Sequence, residues 1–139
     1  MLDLLIKNGS CFIEGNLKKK DIGILNGKIS RIDDLIDDSS KEIFKAEGLI
    51  VLPGCIDTQV HFREPGSTKA EDLNSGSRAA IAGGITSVFE MPNTDPPTSN
   101  KKEFQNKLNL AKNRMYCNYA FYFGAVSYTH LTLPTKRIV

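Results

Sequence analysis

Over the first 48 positions, apolar residues alternate with polar ones in short stretches separated by glycine-containing dipeptides. Leu4-Leu5-Ile6-Lys7 precedes Asn8-Gly9, and Cys11-Phe12-Ile13 precedes Glu14-Gly15-Asn16. Asp21-Ile22-Gly23-Ile24-Leu25 then meets Asn26-Gly27, with Lys28-Ile29-Ser30-Arg31-Ile32 alternating beyond it. A period of two places successive side chains on opposite faces, and Asn-Gly tolerates the positive φ of a hairpin turn. The pattern predicts a small antiparallel sheet with one buried face, turning at Asn8-Gly9 and at Asn26-Gly27. Asp33 to Ser40 reads as a solvated loop, because Asp33, Asp34, Asp37 and Asp38 lack the glycine and closing glutamate of a calcium loop. Ile43-Phe44-Lys45-Ala46 predicts a returning strand.

From Leu49 the rhythm changes to alternating strand-like and helix-like segments. The apolar run Leu49-Ile50-Val51-Leu52 leads into Pro53-Gly54-Cys55-Ile56-Asp57-Thr58-Gln59-Val60-His61-Phe62-Arg63-Glu64-Pro65-Gly66. Thr68-Lys69-Ala70-Glu71 has the form of a capping box and predicts a helix start. Ala70, Leu73, Ser77, Ala80 and Ile81 follow at helical spacing until Gly83-Gly84. Ile85 to Met91 predicts a strand, stopped by the prolines of Pro92-Asn93-Thr94-Asp95-Pro96-Pro97. Asn100 with Glu103 caps a second helix, with Phe104, Leu108, Ala111 and Met115 on its buried face and Lys101, Lys102, Lys107 and Lys112 in water. Tyr116 to Phe123 predicts a third strand, apolar enough to be covered on both faces. Such alternation points to a parallel sheet with crossover helices.

Composition narrows the class. The length of 139 residues suits one domain, and 40% apolar with 24% charged content is ordinary for a globular protein. A net charge of +2 leaves no clustered basic face for nucleic acid, and Lys18-Lys19-Lys20 reads as a hairpin tip or exposed edge. No apolar run approaches the roughly 20 residues that span a bilayer. Met1-Leu2-Asp3-Leu4-Leu5 lacks the basic region and long apolar stretch of a signal peptide. Cys11, Cys55 and Cys117 are odd in number and unpaired in spacing, so they are expected as buried or half-buried reduced thiols in a cytoplasmic protein. Without a secretion signal, the sequon Asn8-Gly9-Ser10 is expected to be only a turn.

The candidate chemistry lies after Ile56, where Asp57, Gln59, His61 and Arg63 occupy every second position. In an extended chain they share one edge. A carboxylate, an amide, an imidazole and a guanidinium there suit a metal or an anionic substrate, or else a strand end entering a solvated loop. Asn93 follows the next strand, and parallel sheets bind ligands at the carboxyl ends of their strands. The two clusters are therefore expected to converge.

Pro53 to Gly66, with Ala79-Ala80-Ile81-Ala82-Gly83-Gly84-Ile85-Thr86 and Met91-Pro92-Asn93-Thr94, resembles the cyclic amidohydrolases of the metal-dependent superfamily, most closely the dihydroorotase branch. The resemblance runs from about Leu4 to Gly124. It implies an α/β fold, the N-terminal part of a (β/α)8 TIM-like barrel preceded by a small antiparallel β-domain segment, with the barrel incomplete in this chain. The implied division is 1–50 β segment, 51–125 first barrel elements and 126–139 non-native tail. It further implies Zn2+ (one or two ions) with His61 as a ligand, Asp57 orienting the ligands, and Arg63 and Asn93 holding the substrate carboxylate. The proton-shuttling carboxylate is expected downstream, so no catalytic residue is assigned within this chain. Implied substrates are dihydroorotate and N-carbamoyl-L-aspartate. Implied protein partners are a second copy of the chain or aspartate transcarbamoylase.

Gln59 departs from the family's Asp-x-His-x-His, standing at the first histidine position. An amide oxygen is a weaker zinc ligand than imidazole. The departure is compatible with an altered metal centre, with a non-catalytic scaffold partner of aspartate transcarbamoylase, or with an allantoinase- or hydantoinase-type hydrolase. Val126 to Val139 matches nothing in the resemblance and reads as translated adapter sequence, so His130 is not counted as a ligand. Without that tail the balance of basic to acidic residues falls from 18 against 16 to 16 against 16. The chain by itself is expected to fold poorly and to be inactive.

Overall fold

The computed structural model describes residues 1–124; the expected tail at 126–139, His130 included, lies outside them. The chain forms two compact units, one from Met1 to Pro53 and one from Gly54 onward.

The first unit is a five-stranded sheet of β1 (Leu2–Ile13), β2 (Asn16–Leu25), β3 (Lys28–Asp33), β4 (Ser40–Lys45) and β5 (Ile50–Val51). It is antiparallel across β3, β2 and β1, while β4 and β5 both join β1 in parallel. Asn26-Gly27 makes the expected hairpin turn, with φ of 52° and 70°. Asn8-Gly9 does not. β1 runs straight through it as a bulge, the register slipping between Ile6 and Gly9, and Asn8 N donates to Asp21 Oδ1 at 2.8 Å. The turn falls instead at Glu14-Gly15, with φ of 52° and 80°. The stretch is instead held in the sheet by β5, which pairs with Ser10 and Cys11, and a Cβ on Gly9 would stand 2.6 Å from Val51 Cγ2, so glycine is required inside the strand. The acidic loop is not wholly solvated either. Ile36 is fully buried with Leu2 and Leu5, and its N–H donates to the buried Asp21 carboxylate at 3.0 Å.

In the second unit β6 (Cys55–Val60), β7 (Ile85–Glu90) and β8 (Asn118–Phe121) form a parallel sheet in chain order. The helices α1 (Leu73–Ala82) and α2 (Lys101–Ala111) connect the strands. Their shared core centres on Phe62, Leu73, Val88, Ala111 and Cys117. α1 starts four residues later than its expected capping box. Asp72 is the cap, its Oδ1 accepting from Ser75 N at 2.7 Å while Asp72 N donates to Ser75 Oγ at 3.0 Å. Thr68 and Ala70 lie in a turn, their N–H groups bonded to Gly66 and Ser67. Starting at Leu73 makes the first helical residue a fully buried one, which Thr68 could not provide. α2 is capped as expected, Asn100 Oδ1 accepting from Glu103 N at 3.0 Å.

Three burial expectations are corrected. Cys11 and Cys117 are buried, but Cys55 is exposed. Lys107 is 0% exposed rather than in water, because it precedes Leu110 and Ala111 by three and four residues and so shares their inward face. β8 is not covered on both faces: Tyr119 is 38% and Phe123 55% exposed, and among the described residues no strand pairs with the outer edge of β8 or of β6.

Candidate active site

β6 ends at Val60, so His61, Phe62 and Arg63 stand on the loop beyond its carboxyl end. Phe62 points into the core and leaves its two polar neighbours exposed. The next strand, β7, ends at Glu90 and delivers Asn93 on its own loop. The expected convergence is present, since His61 Nδ1 lies 2.9 Å from Asn93 Oδ1. An amide oxygen can only accept, so this contact puts the ring proton on Nδ1 and leaves the lone pair on Nε2. The amide NH2 of Asn93 stays available to a ligand. Asp57 is turned to the backbone, its Oδ1 accepting from Gln59 N at 2.9 Å, while the Gln59 side chain is exposed.

The two loops are also joined directly. Asp95 N donates to Pro65 O at 3.0 Å, and Gly66, at φ 123°, lets Asp95 approach to where a Cβ would stand 3.2 Å from Asp95 Cβ. Between the loops lies a depression of about 140 Å³ lined by Arg63, Pro65, Ser67, Asn93, Thr94 and Asp95. That volume is below the roughly 300–1,000 Å³ of a whole small-molecule site, so it suits one end of a ligand. Among the described residues the arginines in ion pairs are Arg31 and Arg114, which leaves the Arg63 guanidinium uncommitted. A larger depression of about 590 Å³ beside α2 is lined by Pro65, Pro96, Glu103, Asn106, Asn109 and Leu110. Its lining includes no cationic side chain and carries the carboxylate of Glu103.

Zinc does not fit the described residues by themselves. One imidazole and one amide cannot close a four-coordinate site, and among the described residues no group of three or more His, Cys, Asp or Glu converges.

Two buried carboxylates that the sequence reading passed over flank the site. Glu64, beside Arg63, is gripped by Arg114 through both oxygens, Nη1 to Oε1 at 2.7 Å and Nη2 to Oε2 at 3.0 Å. Its Oε2 also accepts from Leu73 N at 2.9 Å, tying the start of α1 to the loop. Glu90 and Lys107 are both 0% exposed, with Lys107 Nζ 2.7 Å from Glu90 Oε2. The approach is poorly aligned, so among the described residues neither Glu90 oxygen receives a well-directed hydrogen bond. Burial pushes the Glu90 carboxyl up to about 7, against the pull of Lys107, and pushes Lys107 down. A signal for this pair existed: Glu90 lies two residues after Val88 and so shares its face of the strand, and a carboxylate on a face covered by a helix demands a cation.

Parallel strands joined by helices, with polar side chains gathered beyond the carboxyl ends, match the opening of a (β/α)8 barrel. The chain belongs to the amidohydrolase family, whose model matches residues 50–135. It is 42% identical over 125 residues to a dihydroorotase of Methanosarcina acetivorans, covering 89% of this chain and 27% of that protein. It is 40% identical over 125 residues to an allantoinase of Rubrobacter xylanophilus, again covering 89% and 27%. The L-hydantoinase (dihydropyrimidinase) structure from Arthrobacter aurescens matches with a TM-score of 0.83 at 28% identity, over 99% of this chain and 31% of that one. The fold expected from the sequence, an incomplete barrel after a small β segment, is therefore the fold observed. The chain spans about a quarter of the length of the curated relatives it matches.

Proposed function

We propose that the full-length protein is a cyclic amide hydrolase of the dihydroorotase kind, interconverting N-carbamoyl-L-aspartate and dihydroorotate in pyrimidine biosynthesis. The observation that carries this reading is that Arg63 and Asn93, thirty positions apart, line one depression sized for a carboxylate, with the guanidinium uncommitted. A guanidinium fork matches a carboxylate through two hydrogen bonds. With its oxygen turned to His61, Asn93 offers the ligand its NH2 group. Zinc remains the cofactor implied by the family resemblance. His61 would give one ligand through Nε2 and Gln59 a weak second, Asp57 would steady the strand end, and further ligands with the proton-shuttling carboxylate would come from outside the described residues. On this reading the 139 residues alone are inactive, and the setting is the cytoplasm.

Gln59 favours a second reading, a non-catalytic relative that binds aspartate transcarbamoylase. The test is turnover by the full-length protein of dihydroorotate, N-carbamoyl-L-aspartate, allantoin and hydantoin. The expected result is turnover of the first two, with Arg63→Ala lowering kcat/KM by about 10- to 100-fold, mainly through KM. Turnover of allantoin or hydantoin alone moves the assignment to those branches. No turnover of any, together with a stable complex with aspartate transcarbamoylase, establishes the scaffold.

A further inference from the structure

Glu90 and Lys107 sit where a buried ion pair has no obvious reason to be. Both are completely enclosed between β7 and α2, and the pair is imperfect, since the carboxylate lacks a well-directed donor. Replacing such a pair by apolar residues of similar volume is often neutral or favourable for stability. Two aliphatic side chains would therefore serve the core at least as well. The ammonium, however, has a second contact: Lys107 Nζ donates to Met91 O at 3.4 Å. Met91 is the last residue before Pro92-Asn93, and it is where β7 leaves the sheet. Beyond it the loop is pinned by Thr98 N to Pro92 O at 2.9 Å and by Asp95 N to Pro65 O at 3.0 Å. Arg114, in the turn three residues past the end of α2, grips Glu64 immediately after Arg63. The helix and the turn that follows it thus reach both loops through cations held on buried carboxylates.

We propose that Glu90 and Lys107 are positioning residues for the carboxylate grip: by fixing the Met91 carbonyl they set where Asn93 stands opposite Arg63. The proposal rests on the carboxylate-binding reading above. Neither side chain touches the ligand. The pair acts through the backbone that carries Asn93, and a displacement of that residue by about 1 Å is enough to cost one to two orders of magnitude in a binding-dependent rate.

The experiment uses the full-length protein and the double variant Glu90→Leu/Lys107→Met, which removes both charges and keeps the core filled. Glu90→Gln, which keeps the shape, serves if the double variant does not fold. Three quantities are read: thermal stability, backbone hydrogen exchange across residues 91–98, and steady-state kinetics with N-carbamoyl-L-aspartate. The expected result is near-parental stability with exchange at Thr94, Asp95 and Thr98 faster by about tenfold. KM should rise by about tenfold while kcat stays within about twofold. Unchanged exchange overturns the proposal, as does faster exchange with unchanged KM, because the pair would then hold the core without setting the grip. If the unmodified protein turns over neither substrate, the carboxylate reading has failed; exchange still decides whether the pair fixes the loop.

Discussion

A glutamate held away from water is a proton trap. Glu90 ordinarily ionises near 4.5, and burial raises this to about 7 in the fold. Between those values the folded chain keeps a proton that the unfolded chain has released, so stability falls as pH rises through the window. The contribution is complete below about 4.5 and lost by the time the pH passes about 7. Glu90→Gln cannot titrate. Urea unfolding of the full-length protein should therefore show the parent losing up to about 3 kcal/mol relative to the Gln variant as pH rises across that range. A constant difference would mean that Glu90 titrates normally. At this scale the sequence was only half legible. Arg63 and Asn93 could be picked out because their chemistry was unusual for a strand end. Lys107 could not, because a lysine on a helix that also carries Lys101, Lys102 and Lys112 looks solvated until the partner strand is in place.

Helix α1 carries the contact that keeps Phe62, and with it His61 and Arg63, in place. A Cβ on Gly76 would fall 2.5 Å from the Phe62 ring, closer than any real contact. Gly76→Ala raises helix propensity by about 1 kcal/mol, but overpacking a filled core costs about 1–3 kcal/mol. Phe62 is only 7% exposed and is enclosed by Leu73 and Val88, so the ring has little room to yield. The expected net effect is a lowered Tm in thermal unfolding of the full-length protein; a raised Tm would show that the ring adapts. Local signals at this scale were ambiguous where two stretches carry the same letters. Asn8-Gly9 and Asn26-Gly27 are equally good turns on paper. Only the second turns; the first stays inside β1, where β5, some forty residues later, pairs with Ser10 and Cys11 and Val51 packs beside Gly9. Thr68 and Asp72 compete as caps, and the burial of Leu73 decides between them.

At the scale of the molecule, the second unit has a helix-covered face and a bare one. Ile56 and Phe89, on the face of the sheet opposite Val88, are 61% and 37% exposed, and among the described residues both outer edges of the sheet lack partners. Apolar area of this kind beside open strand edges drives association. Residues 1–139 produced alone should collect in the insoluble fraction; a soluble monomer unfolding cooperatively would contradict this. The barrel opening was legible because its repeating order of strand and helix is set locally. The meeting of His61 with Asn93 was legible too, since successive loops at one sheet edge must meet. A complete metal ligand set was not legible, because among the described residues no group of three or more His, Cys, Asp or Glu converges. The bond from Asp95 N to Pro65 O makes the two loops a single frame. On the proposed carboxylate-binding reading, a depression framed in this way would work as a gauge rather than a jaw. It would measure a ligand against a fixed span, so a homologous acid one carbon longer would meet the same opening and gain nothing from it.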